Sequence, residues 1–301
     1  MVVVLAIMPV FGLIVLGYVL GWRQWLTPES MGGLTQLAFK VFMPAVLLTG
    51  IAKADLRHGL SPLLLLGYFG PVLLVFLLVN LFVHWRRREP TAFGLTASYS
   101  NNVLIGIPLV VNLMGEENLV YVFAILALHS LTLFAMQSFY TAFGGTEKVS
   151  IPELLMSLAN PLIVGLLLGA AVNVSGLTLP GPIWQIATWL AQAGLPCALI
   201  VLGVNLSRYR LRPSLSVVGL TAIKLLVFPF VVWTVCLWLP SLSGAARSVL
   251  MLMAACPSGV NVLAFARTPE ENRVVSSTVF LSTVLAVVTV PLWMALVGLN
   301  R

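Results

Sequence analysis

Apolar residues along this chain form long runs that are separated by short polar segments. A helix needs about 20 apolar residues to cross a hydrocarbon core about 30 Å thick. By this criterion the sequence predicts ten transmembrane helices, at residues 2–21, 32–51, 61–83, 91–112, 119–141, 158–175, 184–206, 215–239, 247–266 and 274–298. We therefore expect an all-α integral membrane protein.

The composition supports a membrane protein and argues against a nucleic-acid partner. Hydrophobic residues make up 60% of the 301 positions and charged residues 8%, whereas soluble domains are about one quarter charged. The net charge is +7, but the basic residues lie in short clusters between apolar runs, where they orient helices in a membrane. The three cysteines lie inside apolar runs at spacings that fit neither a metal site nor a disulfide framework. We expect no metal and no cofactor.

Basic residues in the predicted loops are distributed unequally between the two sides of the membrane. The richer side carries Arg23, Arg86, Arg87, Arg88, Lys148, Arg208, Arg210, Arg212, Arg267 and Arg273. The other side carries Lys53, Arg57, Arg247 and Arg301. The positive-inside rule places the richer side in the cytoplasm, so both termini are expected on the non-cytoplasmic side.

The two halves of the chain correspond to each other. Five spans per half, with a cytoplasmic connector at 142–157, give halves of opposite orientation, and such inverted repeats are a common transporter plan. The second and seventh spans each contain a proline, Pro44 and Pro196. Small residues that allow close helix packing in lipid recur in the first and sixth spans, at Gly12, Gly17, Gly21, Gly165 and Gly169.

The fourth and ninth predicted spans are each interrupted, at residues 98–108 and 256–261. Proline removes a backbone donor and glycine tolerates unwound backbone, so the predicted helix-break residues are Gly106, Pro108, Pro257 and Gly259. Unwound backbone is too costly in lipid, so it must line a cavity enclosed by protein. Paired breaks in inverted halves indicate a substrate site near the midplane, and the positive N-termini of half-helices suit a carboxylate. Two ordinary proline kinks are the alternative.

Polar groups inside the spans complete the predicted site. The candidate substrate-binding residues are Asn101, Asn102, Pro108, His129, Lys224, Pro257, Ser258 and Asn261. Lys40 and Lys224 lie inside spans, whereas every acidic residue lies in a loop or at a span end. An anion would therefore complete the site, unless each lysine reaches the headgroups by snorkelling. His129 is either a hydrogen-bonded core imidazole or a carrier of a co-transported proton.

Three motifs, in order along the chain, resemble the auxin efflux carrier family. Residues 101–108, followed by Gly115, Glu116 and Glu117, resemble its fourth helix. Residues 193–196 with 201–206 are similar to its seventh helix, and residues 255–261 resemble its ninth. The short connector resembles the bacterial members, described as malonate or malate permeases, more than the plant auxin exporters with long central loops.

The resemblance implies a fold shared with the bile-acid sodium symporters. Residues 1–60 and 158–214 would form a scaffold domain, and residues 61–141 and 215–301 a transport domain that moves in an elevator-like cycle. In the family the position of Asn101 contacts the carboxylate, while the position of Asn102 varies more. A homodimer through the scaffold and a bacterial inner-membrane location are implied in the same way.

These observations predict a secondary transporter of small mono- or dicarboxylates, such as malonate, malate or auxin-like acids. The alternative is a sodium-coupled symporter of bile-acid-like amphipathic anions, but the acidic residue expected in the sodium sites of those symporters is missing. Proton coupling and uniport both stay open, as do the direction of transport and the identity of the carboxylate. We expect no enzymatic activity, because the chain lacks a Gly-x-Ser-x-Gly elbow, a buried carboxylate and metal-ligand spacing.

Overall fold

The computed structural model describes residues 2–54, 61–143 and 161–298. Most of the predicted connector at 142–157, the start of the predicted sixth span and the basic residues Arg57, Lys148 and Arg301 lie outside the described residues. Within the described residues the chain is helical, and the only β-type pairing is one isolated bridge.

In the described residues, each predicted apolar run corresponds to one helix or to a pair of helices separated by a short break. The helices are α1 (Val2–Trp22), α2 (Pro28–Ala52), α3 (Pro62–Arg87), α4a (Phe93–Ser98), α4b (Asn102–Met114), α5 (Leu119–Phe143), α6 (Pro161–Ser175), α7 (Gly181–Ser207), α8 (Leu215–Leu237), α9a (Gly244–Ala255), α9b (Val260–Phe265) and α10 (Pro269–Val297). In the described part of the chain, six helices are long and apolar enough to cross a membrane, namely α2, α3, α5, α7, α8 and α10. Four shorter apolar helices lie in α1, α4b, α6 and α9a. The prediction of an all-helical membrane protein is confirmed.

Compared with a soluble protein, the surface is unusually apolar and several polar side chains are buried. Large apolar side chains are exposed along the outer faces, for example Leu81 at 70% and Leu296 at 69%. Polar side chains such as His129, Gln137 and Lys224 are buried. Exposed apolar area on this scale fits contact with lipid, while these polar groups lie inside the protein.

Glycines bring several helix pairs into backbone contact. A methyl group at Gly17 on α1 would overlap the carbonyl of Ile200 on α7, and one at Gly165 on α6 would overlap the carbonyl of Pro44 on α2. Close contacts also occur at Gly21, Gly169 and Gly203. Gly12 is different, because nothing lies within 4 Å of where its side chain would be. The close-packing prediction is therefore wrong for Gly12, which faces open space.

The helices pack as two groups. Helix α1 packs mainly on α7, and α2 packs on α6 and α7. In the other group, α3 packs on α4a and α8, and α10 packs on α8 and α9a. Contacts of α4b with α1 and of α5 with α2 join the groups.

Two of the long helices contain a π-turn that carries a lysine. In α2 the π-turn is Ala38–Phe42, with Pro44 just after it, and in α8 it is Ile223–Val227, with Pro229 just after it. Proline cannot donate a backbone hydrogen bond, and a wider turn before it accommodates the missing bond. Lys40 in the first turn is exposed, whereas Lys224 in the second is completely buried.

The two broken helices are interrupted at short segments. The first break is residues 99–101, between α4a and α4b, and the second is residues 256–259, between α9a and α9b. The second break contains Pro257 and Gly259. Gly106 and Pro108, by contrast, lie within continuous helical turns, and Gly106 has φ −63° and ψ −49°. Their prediction as break residues is wrong, because Pro108 follows the π-turn Asn102–Gly106 within α4b, and this wider turn accommodates the missing backbone donor.

Candidate functional site at the crossing of two broken helices

The two unwound segments cross each other, and we call residues 99–101 and 256–259 together the crossing. Ser100 and Ser258 form an antiparallel bridge. The backbone N–H of Asn101 donates to the carbonyl of Pro257 at 2.9 Å, and that of Gly259 donates to the carbonyl of Tyr99 at 3.1 Å. Each break thus provides hydrogen-bond partners for backbone groups of the other. Unwound backbone that is buried requires such partners.

Asn101 begins α4b and carries an unused donor. Its Oδ1 accepts a hydrogen bond from the backbone N–H of Leu104 at 3.4 Å, so the side chain caps the helix. The residue is 5% exposed, and its Nδ2 has no partner among the described residues. A buried donor without an acceptor costs free energy. The site would therefore be stabilised by a ligand that offers an oxygen.

The side chain of Asn102 binds to a tyrosine on α3. Its Nδ2 donates to the hydroxyl of Tyr68 on α3 at 2.7 Å, and both side chains are buried. Its Oδ1 has no partner among the residues that the structure describes. Asn102 therefore offers an acceptor next to the unused donor of Asn101.

Lys224 binds both to the first break of the crossing and to the last turn of α9a, just before the second break. Its Nζ donates to Oγ of Ser100 at 2.8 Å and to the carbonyl of Ala254 at 2.9 Å. It also lies 4.6 Å from the centre of the Phe228 ring. Complete burial excludes snorkelling for Lys224, whereas the exposed Lys40 is free to reach headgroups. In residues 2–54, 61–143 and 161–298, no carboxylate pairs with Lys224.

The predicted residues of the second break differ in environment. Ser258 is fully buried, and its Oγ donates to the carbonyl of Thr96 at 2.6 Å. Its backbone N–H donates to Oγ of Ser282 at 3.2 Å. Asn261 is exposed, and its Nδ2 donates to the hydroxyl of Tyr99 at 3.2 Å. Both side chains thus hold other parts of the protein.

His129 on α5 lies against the crossing in a cluster of aromatic rings. Its ring centre is 4.5 Å from that of Tyr99 and 5.7 Å from that of Tyr68. The imidazole is 1% exposed, and its Nε2 has no partner among the described residues. The structure therefore brings His129 next to the broken helices.

A cavity of about 610 Å³ lies between α1, α2, α7 and the part of α4b that begins at Ile107. It includes Pro108 and Pro196, and its polar lining includes Thr49 and Gln192. Charged residues line it near the ends of α2 and α4b, namely Lys53, Glu116 and Glu117. Of the predicted substrate-binding residues, only Pro108 lines this cavity, while the others lie in or around the crossing.

Several residues that organise the site were not predicted from the sequence. Tyr68, Tyr99 and Ser100 hold the amides and the lysine, but their partners are distant in the chain. Contrary to the expectation that no carboxylate is buried, Glu271 is buried and accepts hydrogen bonds from the backbone of Ala92, at the start of α4a, and of Arg267. The capping pattern around Glu271 marks a helix start in the sequence, but its bond to α4a appears only in the fold.

Comparison with known proteins identifies relatives over nearly the whole chain. A family model described as membrane transport protein matches residues 2–141 and 141–294. The chain is 28% identical over 298 residues to an "Uncharacterized transporter" of Methanothermobacter thermautotrophicus, covering 95% of this chain and 96% of that protein. It is 26% identical over 300 residues to a "Putative malonate transporter" of Rhizobium meliloti, covering 94% of this chain and 92% of that protein.

Proposed function

Because the chain belongs to the membrane transport protein family, which is similar to the auxin efflux carriers, we propose that it is a secondary transporter of small organic anions. The resemblance to this family is confirmed, and both relatives are named as transporters. The malonate in the name of the second relative makes small dicarboxylates the first substrates to test.

The observation that carries the proposal is the unused donor of Asn101 in the crossing. Its Nδ2 lies at the N-terminus of α4b, where the helix dipole is positive. Lys224 adds a positive group that no carboxylate of the described residues neutralises. A carboxylate is the ligand that suits a free amide donor, a helix N-terminus and a cation together. Asn102, His129, Pro257, Ser258 and Asn261 shape the surroundings of that ligand.

The cavity along α4b supports an access route for the anion. Its volume of about 610 Å³ lies in the range of small-molecule sites. It reaches Ile107 and Pro108, which at 1.5 Å per residue lie roughly 10 Å along α4b from Asn101. The substrate would enter through the cavity and bind where α4b begins.

We propose further that transport follows an elevator-type alternating-access cycle within ten transmembrane helices in two inverted repeats. The scaffold would comprise residues 1–60 and 158–214, whose helices α1, α2, α6 and α7 pack through glycine–backbone contacts. The transport domain would comprise residues 61–141 and 215–301 and would carry the crossing. The cavity, at the boundary between these groups, is where movement would open and close the site. Both termini would lie outside the cytoplasm.

The membrane potential determines whether uptake or export of an anion needs a co-transported cation. One charge moving through 100 mV gains or costs about 2.3 kcal/mol. A negative interior therefore expels an anion without help, whereas uptake requires a co-transported cation. The unpartnered Nε2 of His129 makes a proton the cation to test first.

The proposal is tested by flux into proteoliposomes that contain the purified protein, with malonate, malate and an indole acid compared. We expect saturable flux for at least one of these anions. Asn101→Ala should abolish it without lowering expression, because the donor to the carboxylate is lost. The matched control is Asn272→Ala, an exposed asparagine in the first turn of α10. Unchanged anion affinity in Asn101→Ala would remove Asn101 from the site.

A further inference from the structure

A second large cavity lies on the outer surface of the protein, away from the crossing. It is a groove of about 560 Å³ between α3 and α8, and we call it the α3–α8 groove. Its walls are apolar from Val75 to Val83 on α3 and from Leu220 to Val227 on α8. Leu78 is 57% exposed and Phe82 is 58% exposed. The apolar part of the groove therefore faces the surroundings of the helices, which in a membrane are acyl chains.

One end of the groove is positively charged. Arg86 and Arg87, in the last turn of α3, line it there. The Arg86 guanidinium lies 5.4 Å from the ring centre of Phe82, one turn back along the helix. Within the described residues Arg86 has no acidic partner, while Arg87 pairs with Glu270 at 3.5 Å, on the exposed surface. The charged end can therefore accept a further anion.

At the same end of the groove, the start of α8 also favours an anion. Helix α8 begins at Leu215, and both Leu215 and Ser216 line the groove. The positive N-terminus of a helix favours phosphate, and two guanidinium groups favour it further. Glu270 competes for Arg87 but, within the described residues, forms no ion pair with Arg86. The charges at this end thus complement a phosphate group.

The length of the groove matches one leaflet of a bilayer. Its α3 wall runs from Val75 to Arg87, which is about 18 Å at 1.5 Å per residue. Half of a hydrocarbon core is about 15 Å. An acyl chain that starts at the arginine end would therefore lie along the apolar walls to about the middle of the membrane.

We propose that the α3–α8 groove binds an anionic phospholipid, with one acyl chain between α3 and α8 and the phosphate between Arg86 and Arg87. By the distribution of basic residues, this lipid belongs to the cytoplasmic leaflet. The site is separate from the crossing and does not depend on which anion is transported.

The charge part of the proposal is tested by lipid binding to the purified protein in native mass spectrometry. Phosphatidylglycerol should bind more tightly than phosphatidylcholine with the same acyl chains. R86Q/R87Q should weaken phosphatidylglycerol binding roughly 30-fold, about fivefold for each arginine. The control R23Q/R208Q removes the same charge from the same predicted face, away from the groove, and should leave the preference unchanged. Equal loss in both double variants would overturn the site.

The apolar part is tested by filling the groove. Gly219 lines it, and nothing lies within 4 Å of where its side chain would be. Gly219→Leu should therefore fold normally, displace the acyl chain and remove the thermal stabilisation that phosphatidylglycerol gives to the parent protein. Gly12→Leu is the matched control, because Gly12 also faces open space, on α1. Retained lipid stabilisation in Gly219→Leu would contradict the proposal.

A third arm distinguishes a lipid from a free phosphate. Glycerol phosphate carries the charge of the headgroup but has no acyl chain. We expect no thermal shift at concentrations where phosphatidylglycerol acts. An equal shift with glycerol phosphate would mean that the arginines bind a soluble anion, and the lipid proposal would fail.

Discussion

Lys40 and Lys224 lie in the same kind of local structure and in opposite environments. Each is part of a π-turn followed by a proline, in α2 and α8 respectively. Lys40 is exposed, but Lys224 is completely buried and bound to Ser100 and Ala254. The turn is therefore set by the local sequence, and the role of the lysine is set by what packs against it.

The difference follows from the neighbours of the two helices. Helix α2 packs on α6 and α7 at Gly165, which contacts the backbone of Pro44, and Lys40 stays exposed. Helix α8 packs on α9a, whose last turn exposes the carbonyl of Ala254. Carbonyls at the end of a helix carry partial negative charge and attract a cation. A broken helix thus creates the site that a buried lysine needs.

The strongest test of this comparison is to remove each lysine in turn. Lys224→Met should weaken binding of the transported anion on the order of 100-fold, because hydrogen bonds to charged groups contribute about 1.5–3 kcal/mol and the cation near the anion is lost. Lys40→Met should change affinity less than about twofold, as is usual for an exposed position. Anion affinity is measured by calorimetry on the purified proteins.

Thermal unfolding of the same variants separates binding from folding. Lys224→Met leaves Ser100 Oγ and the Ala254 carbonyl without their partner, so some loss of stability is expected. The affinity should fall by more than the stability does. Equal affinity in Lys224→Met and the parent would assign Lys224 a structural role only.

A smaller effect is expected from the acceptor of Lys224. Ser100→Ala removes the hydroxyl that accepts from Nζ at 2.8 Å and leaves the ammonium with Ala254. Loss of one hydrogen bond of about 1 kcal/mol corresponds to roughly fivefold weaker anion binding. Ser216→Ala, in the first turn of α8, is a serine control that leaves the crossing intact. A Ser100→Ala variant with parental affinity would show that Ala254 alone positions the lysine.

The helices were largely predictable from the sequence, because long apolar runs determine them. The predicted run at 184–206 corresponds to Gly181–Ser207, and that at 215–239 to Leu215–Leu237. The predicted breaks also overlapped the observed ones, since Pro257 and Gly259 lie in the second. For the first break, Gly106 and Pro108 were the wrong residues. A π-turn can absorb a proline inside a helix, so a proline does not always interrupt one.

The arrangement of the site was less predictable, because its partners come from remote parts of the chain. The sequence placed Lys40 and Lys224 alike inside spans, and neither burial nor the bond to Ser100 follows from spacing. Tyr68 and Tyr99 were not predicted as site residues, although they bind Asn102 and Asn261. Polar contacts between non-adjacent helices require the packing itself.

The smallest predicted effect concerns the ring that lies against Lys224. The Nζ atom is 4.6 Å from the centre of the Phe228 ring, which is fully buried. A desolvated cation–π contact contributes on the order of 1 kcal/mol. Phe228→Leu also removes packing, so the contact is isolated by a double-mutant cycle with Lys224→Met, in which the packing loss is common to both backgrounds. We expect a coupling of about 1 kcal/mol in thermal unfolding.

Phe230→Leu, at an exposed position on the same helix, should give no coupling with Lys224→Met. Zero coupling at Phe228 would mean that the two hydrogen bonds alone hold the buried lysine, and the contrast with Lys40 would then rest entirely on the crossing.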